Sequence, residues 1–146
     1  MTESVQISLD YIKANAKSFK VNLDKINKLD IHIHIPEASV PKEGPSAGIA
    51  ITTAILSMLK KKKISNKIAL TGELTLKGNV LKIGGLKEKV IGASRNRIKT
   101  IFIPYDNIPD IEEIEDFIKK EIEFIPVKNY KEIYTKLLEE ESEKEK

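Results

Sequence analysis

The chain has 146 residues, with 25 Lys plus Arg against 22 Asp plus Glu and a formal charge of +3. Its length is that of one domain with room for a core. The interleaved charges argue against a nucleic-acid surface, and the absence of cysteine excludes a disulfide framework, thiol catalysis and thiolate zinc sites. No run approaches the roughly 20 consecutive apolar residues of a bilayer span, and "MTESVQISLDYIKANAKSF" is too polar for a signal peptide, so no membrane partner is expected.

In chain order, Val5, Leu9, Ile12 and Ala16 recur at helical spacing behind Thr2, a suitable N-cap, and predict an amphipathic helix. "DIHIHIPE" alternates, Ile31, Ile33 and Ile35 on one face and His32 and His34 on the other, which predicts a strand ended by Pro36. Pro36 to Pro45, with three prolines and Gly44, reads as a stiff loop. Ser46 to about Lys62 is a helix apolar nearly all round, hence buried, with Lys60 to Lys63 suited to the negative end of its dipole.

"KIALTGE" and "LTLKGNVLKIGG" predict two short β segments, a Lys-Gly-Asn turn and a further strand. Leu86 to about Arg95 reads as a helix, "KTIFIP" as a buried strand, "DIEEIEDFIKK" as one helix, "IEFIPV" as a last strand and Lys131 to Glu140 as the closing helix. The mixture predicts an α+β fold, a small mixed sheet covered by helices. Residues 1–138 form the domain, and Glu139 to Lys146, "EEESEKEK", a charged disordered tail.

One stretch raises a chemical question. "PKEGPSAGIAITTAI" places Ser46 between a proline and a buried helix. A serine there can simply cap the helix, with Gly48 allowing close packing. The rigid loop before it suggests more, because helix-start amides at Ser46 and Ala47 would face the same space as the hydroxyl and could hold an oxyanion. A serine nucleophile needs a base. His32 and His34 are candidates by position, although two histidines without a third ligand do not make a zinc site. Lysine is the other choice, provided its surroundings favour the neutral amine. In "GGLKEKVIGASR", Lys89 lies three residues after Leu86 and beside Val90 on the apolar helix face, where it is either a base or a snorkelling surface lysine. Thr71, ending a buried apolar strand in "LTGE", is placed to orient the amine.

"PKEGPSAGIA", "TGELTLKGNVLKIGGLKEK" and "IKTIFIP" closely resemble the proteolytic domain of Lon proteases, and the similarity runs from "MTESVQ" through "DIHIHIPE" to the last helix. The resemblance implies a ribosomal protein S5 domain 2-like α+β fold and a serine endopeptidase using a Ser-Lys dyad. Ser46 then corresponds to the nucleophile, Lys89 to the general base, Thr71 to a threonine that hydrogen-bonds the lysine, and Glu43 to an aspartate at the mouth of the site. Ser46 and Ala47 would supply oxyanion-hole amides. It further implies unfolded or damaged proteins and peptides as substrates, a homohexameric ring, and an AAA+ module in a longer parent. No Walker A loop occurs, so no cofactor is expected in this chain, ATP and Mg belonging to that module. Family domains begin with β structure before the equivalent of "MTES", so a fragment or truncated form is implied. The alternative is a non-catalytic Lon-like scaffold for ring assembly or DNA-processing partners, which would have a defective dyad and a basic stripe. The cytoplasm is the expected location, with the mitochondrial matrix as the alternative.

Overall fold

The computed structural model describes residues 2–32 and 44–139. Helices α1 (Thr2–Ala14), α2 (Ala16–Phe19) and α3 (Leu23–His32) come first. A 3-10 turn (Gly44–Ala47) then leads into α4 (Gly48–Lys60), which is followed by strand β1 (Ile68–Leu70). The hairpin strands β2 (Glu73–Leu74) and β3 (Val80–Leu81) precede α5 (Leu86–Arg95). The chain continues with β4 (Thr100–Pro104), a 3-10 turn (Tyr105–Asn107), α6 (Ile108–Ile111), α7 (Asp116–Glu121), β5 (Glu123–Val127) and α8 (Tyr130–Leu137).

Among the described residues, β1, β4 and β5 form a parallel sheet in the order β1-β4-β5, and β2 pairs antiparallel with β3. Parallel strands need covering on both faces, and the period of two in "TIFIP" meets that need. Phe102 packs into one apolar layer while Ile101 and Ile103 pack into the other. The first layer also takes Leu9 and Ile12 of α1, Phe19 of α2, Ile49 and Leu56 of α4, and Tyr130 and Ile133 of α8. The second takes Leu86 and Val90 of α5, Ile114, and Ile118 of α7. The domain is therefore an α+β fold in three layers, with α4 and α5 on opposite faces of the sheet.

Three elements depart from the sequence expectations. Asp30, Ile31 and His32 close α3 rather than opening a strand. Leu23, Ile26 and Leu29 keep helical spacing up to that point, and so short a period-two pattern does not override it. Residues 33 to 43, which include His34, Glu43 and most of the expected loop, lie outside the described residues, as does the tail from residue 140.

The apolar helix begins at Gly48, not Ser46, and ends at Lys60, where the left-handed cap residue Lys61 (φ 53°) lets the Lys62 N–H reach the Ser57 carbonyl at 3.0 Å. The acidic helix is two helices. Glu115 is extended (ψ 141°), and its carbonyl accepts from the Ile118 and Lys119 amides to start α7 anew. Ile111, Ile114 and Ile118 mimic one stripe in sequence and all pack in the second layer, but the chain breaks at Glu115 and α7 starts anew.

Candidate active site

Ser46 sits in the 3-10 turn ahead of α4, and its carbonyl accepts the Gly72 N–H at 2.9 Å, just beyond the end of β1. The Gly72 carbonyl in turn accepts the Ile49 N–H at 3.2 Å, so two backbone bonds tie the start of α4 to the exit of β1. The approach demands glycine. A Cβ at Gly48 would lie 2.8 Å from the Leu74 nitrogen, and one at Gly72 would lie 2.8 Å from Val80 Cγ1. Buried hydroxyls brace the same helix. Ser8 of α1 donates to the Gly48 carbonyl at 3.3 Å, and Thr52 Oγ1 lies 2.9 Å from both that carbonyl and Ser8 Oγ.

Lys89 arrives from the other side of the sheet. Leu86 and Val90, both buried, seat α5 in the second layer. Its first turn opens at Gly85, whose left-handed φ of 70° is the conformation glycine tolerates. From there Lys89 Nζ donates to Ser46 Oγ at 3.1 Å in a partly buried contact. The two groups meet past the carboxyl end of β1, where open α/β sheets commonly gather their ligands. The N-cap of α4 is Ala47, with no side-chain capping bond. The serine hydroxyl is thus directed at an amine instead of serving as the cap. The Ser46 and Ala47 amides lie at the positive end of that thirteen-residue helix.

Thr71 is buried beside this junction, its N–H bonded to the Phe102 carbonyl at 3.1 Å. Its hydroxyl has no hydrogen-bond partner among the described residues, so the contact with Lys89 that the sequence suggests is not made here. Glu43 and His34 lie outside the described residues, and His32 is placed only as the last residue of α3. Among the described residues no group of three or more His, Cys, Asp or Glu could hold a metal ion, and no helix is long and apolar enough to cross a membrane.

One residue that sequence reasoning passed over stands out. Asn107 is wholly buried and binds both the N–H and the C=O of Ile83, two residues ahead of Gly85. The signal available was a polar residue three positions after the end of the buried "IFIP" strand, which reads equally well as an ordinary turn residue.

An α+β domain that brings a serine hydroxyl against a lysine amine at a helix start has the makings of a serine hydrolase with an amine base. The family comparison narrows that class. Residues 1–140 match the model of the Lon protease (S16) C-terminal proteolytic domain, and the chain belongs to that family. It is 50% identical over 137 residues to the Lon protease of Mycoplasma pneumoniae, covering 94% of this chain and 17% of that protein. It is 53% identical over 134 residues to the Lon protease of Mesomycoplasma hyopneumoniae (92% and 15%). With the Lon protease of Escherichia coli K12 the identity is 46% over 141 residues (97% and 18%). The chain therefore spans less than a fifth of the length of these curated relatives.

Proposed function

We propose that this chain is the peptide-cleaving part of a Lon-type protease, with Ser46 as nucleophile and Lys89 as general base. The observation that carries the reading is the 3.1 Å contact between Lys89 Nζ and Ser46 Oγ at the start of α4. As Ser46 Oγ bonds to the scissile carbonyl carbon, its proton passes to the Lys89 amine. The carbonyl oxygen, now an oxyanion, takes hydrogen bonds from the Ser46 and Ala47 amides and gains from the α4 dipole. Collapse expels the new amine terminus, which leaves with the proton from Lys89. Water then gives a proton to Lys89 and attacks the ester, releasing the carboxylate and restoring Ser46.

Thr71 has a supporting role in this reading, since its buried hydroxyl retains both hydrogen-bonding functions for an amine that moves during the cycle. Glu43 is assigned to the mouth of the site on the family resemblance. Unfolded proteins and peptides are the substrates, a homohexameric ring is the assembly, and an AAA+ module in a longer parent supplies ATP-driven unfolding. The cytoplasm is the assigned location.

The test is hydrolysis of an unstructured fluorogenic peptide without ATP by the wild type, Ser46→Ala and Lys89→Ala, each checked for folding and assembly. Either substitution should remove turnover by about a thousandfold or more, because the pair acts as a unit. Equal turnover in all three would sink both assignments. A folded wild type that remains inactive even when joined to its longer parent would favour the scaffold alternative.

A further inference from the structure

We propose that Asn107 is a positioning residue for Lys89, its side-chain amide fixing the point from which α5 departs. The inference rests on the reading of Ser46 and Lys89 as a working pair. Asn107 closes the 3-10 turn after β4 and is 0% exposed. Its Oδ1 accepts the Ile83 N–H at 3.0 Å, and its Nδ2 donates to the Ile83 carbonyl at 2.9 Å. Nδ2 also donates to Asp110 Oδ2 at 2.7 Å, a charge-assisted bond. These three bonds permit one orientation of the amide, because a flip would set NH₂ against N–H and oxygen against oxygen. The side chain thus stands in for a neighbouring strand and grips both backbone groups of a single residue.

That residue is followed by the two glycines that lead into α5. A Cβ at Gly84 would meet nothing within 4 Å, and Gly85 holds φ 70° with only a Glu88 side-chain atom, at 3.6 Å, near its missing Cβ. No side chain at either glycine helps to fix this joint. Leu86 and Val90 hold α5 to the sheet, but aliphatic contacts are non-directional and allow a helix to slide or roll. The Lys89 N–H bonds to the Gly85 carbonyl at 3.2 Å, so a displacement of the joint passes straight into the turn that carries the amine. Ile83 is the last residue before the glycines, and Asn107 is what gives its backbone a direction.

The test exploits the absence of native cysteine in the 146-residue chain. Ser46→Cys introduces a single thiol whose ionisation reports the nearness of the Lys89 amine. The midpoint of its alkylation rate against pH is a property of the coupled pair and requires no turnover. It is measured in the full chain with the Ser46→Cys background alone, with Lys89→Met, with Asn107→Ser, and with the charge-neutral exchange Asn107→Asp plus Asp110→Asn. Asn107→Ser shortens the side chain and removes the paired amide groups that hold Ile83, and the exchange replaces the Nδ2 donor with a carboxylate oxygen while nearly preserving shape should the Ser variant fail to fold.

Lys89→Met should raise the midpoint by about one pH unit or more, since it removes the amine that takes the thiol proton and whose positive charge then stabilises the thiolate a few ångström away. The folded Asn107 variants should raise it in the same direction by about half that amount. A lowered melting temperature with the midpoint unmoved would mean that Asn107 is only structural, and would overturn the proposal while leaving the Ser46–Lys89 reading intact. A midpoint indifferent to Lys89→Met would overturn both.

Discussion

The two faces of the sheet are held together differently. The layer behind Ser46 is threaded with buried hydroxyls. Ser8 and Thr52 close on the Gly48 carbonyl, and Thr53 Oγ1 bonds the Ile49 carbonyl at 2.8 Å and the Tyr130 hydroxyl at 2.7 Å. The layer behind Lys89 is aliphatic, built on Ile83, Leu86, Val90, Ile101, Ile103, Ile114, Ile118 and Ile122. Directional bonds position a backbone closely but tolerate no loss of a partner, whereas apolar contacts tolerate rearrangement and position poorly. The nucleophile thus rides on the rigid face. The amine rides on the forgiving one, which is why its helix needs a polar clamp at its entrance.

The sharpest break in that comparison is Gly48→Ala. Its methyl would press on the Leu74 backbone nitrogen at 2.8 Å, so the helix start must move away from β2. The expected cost is about 1–3 kcal/mol in denaturant unfolding. Peptide turnover should fall by about a hundredfold in protein that is still folded, because the displacement reaches Ser46 directly. Stability loss with turnover per folded molecule intact would show that Ser46 is held independently of Gly48.

A smaller effect separates the two layers themselves. Thr53→Val keeps the volume but strips the Tyr130 hydroxyl of its partner, and should cost about 1–3 kcal/mol. Ile118→Val, which deletes a methylene from the aliphatic layer, should cost about 0.5–1.5 kcal/mol. Denaturant midpoints of the two variants, measured side by side, test the ordering, and a larger cost for Ile118→Val would erase the contrast.

The smallest effect has the opposite sign. Tyr11 is buried with no hydrogen-bond partner for its hydroxyl among the described residues. Tyr11→Phe should therefore gain about 1 kcal/mol at neutral pH. Burial also raises its phenol from 10.0 to about 12, and burial pushes the Tyr130 phenol upward against the lowering from its Thr53 bond. A folded-state value raised above the unfolded one means stability fully present below pH 10 and lost as pH climbs towards about 12. Unfolding midpoints compared at pH about 8 and about 11 should fall more steeply in the wild type than in Tyr11→Phe. Parallel declines would remove Tyr11 from the account.

Local pattern made much of this legible. The short apolar run in "KTIFIP" identified a buried strand, and the apolar run after Ser46 identified a buried helix, because run length and burial are properties of a short segment. Where the outcome depended on neighbours, the pattern misled. The stripe through Ile111, Ile114 and Ile118 concealed the break at Glu115, and the alternation at Ile31 and His32 gave way to the end of α3. The serine and the lysine were each visible as candidates, Ser46 by its loop and helix and Lys89 by its apolar face and by likeness to a known family.

By itself, then, the sequence determined the residue types, the periodicities and the family, all of which are written in order along one dimension. The tertiary structure alone decided that helices on opposite faces of a sheet bring Lys89 Nζ within 3.1 Å of Ser46 Oγ. It also decided that Thr71 keeps its hydroxyl without a partner among the described residues and that Asn107 reaches back to Ile83. The two contacts join segments far apart in the chain and are set by tertiary packing around the sheet, and no local pattern encodes a distance of that kind.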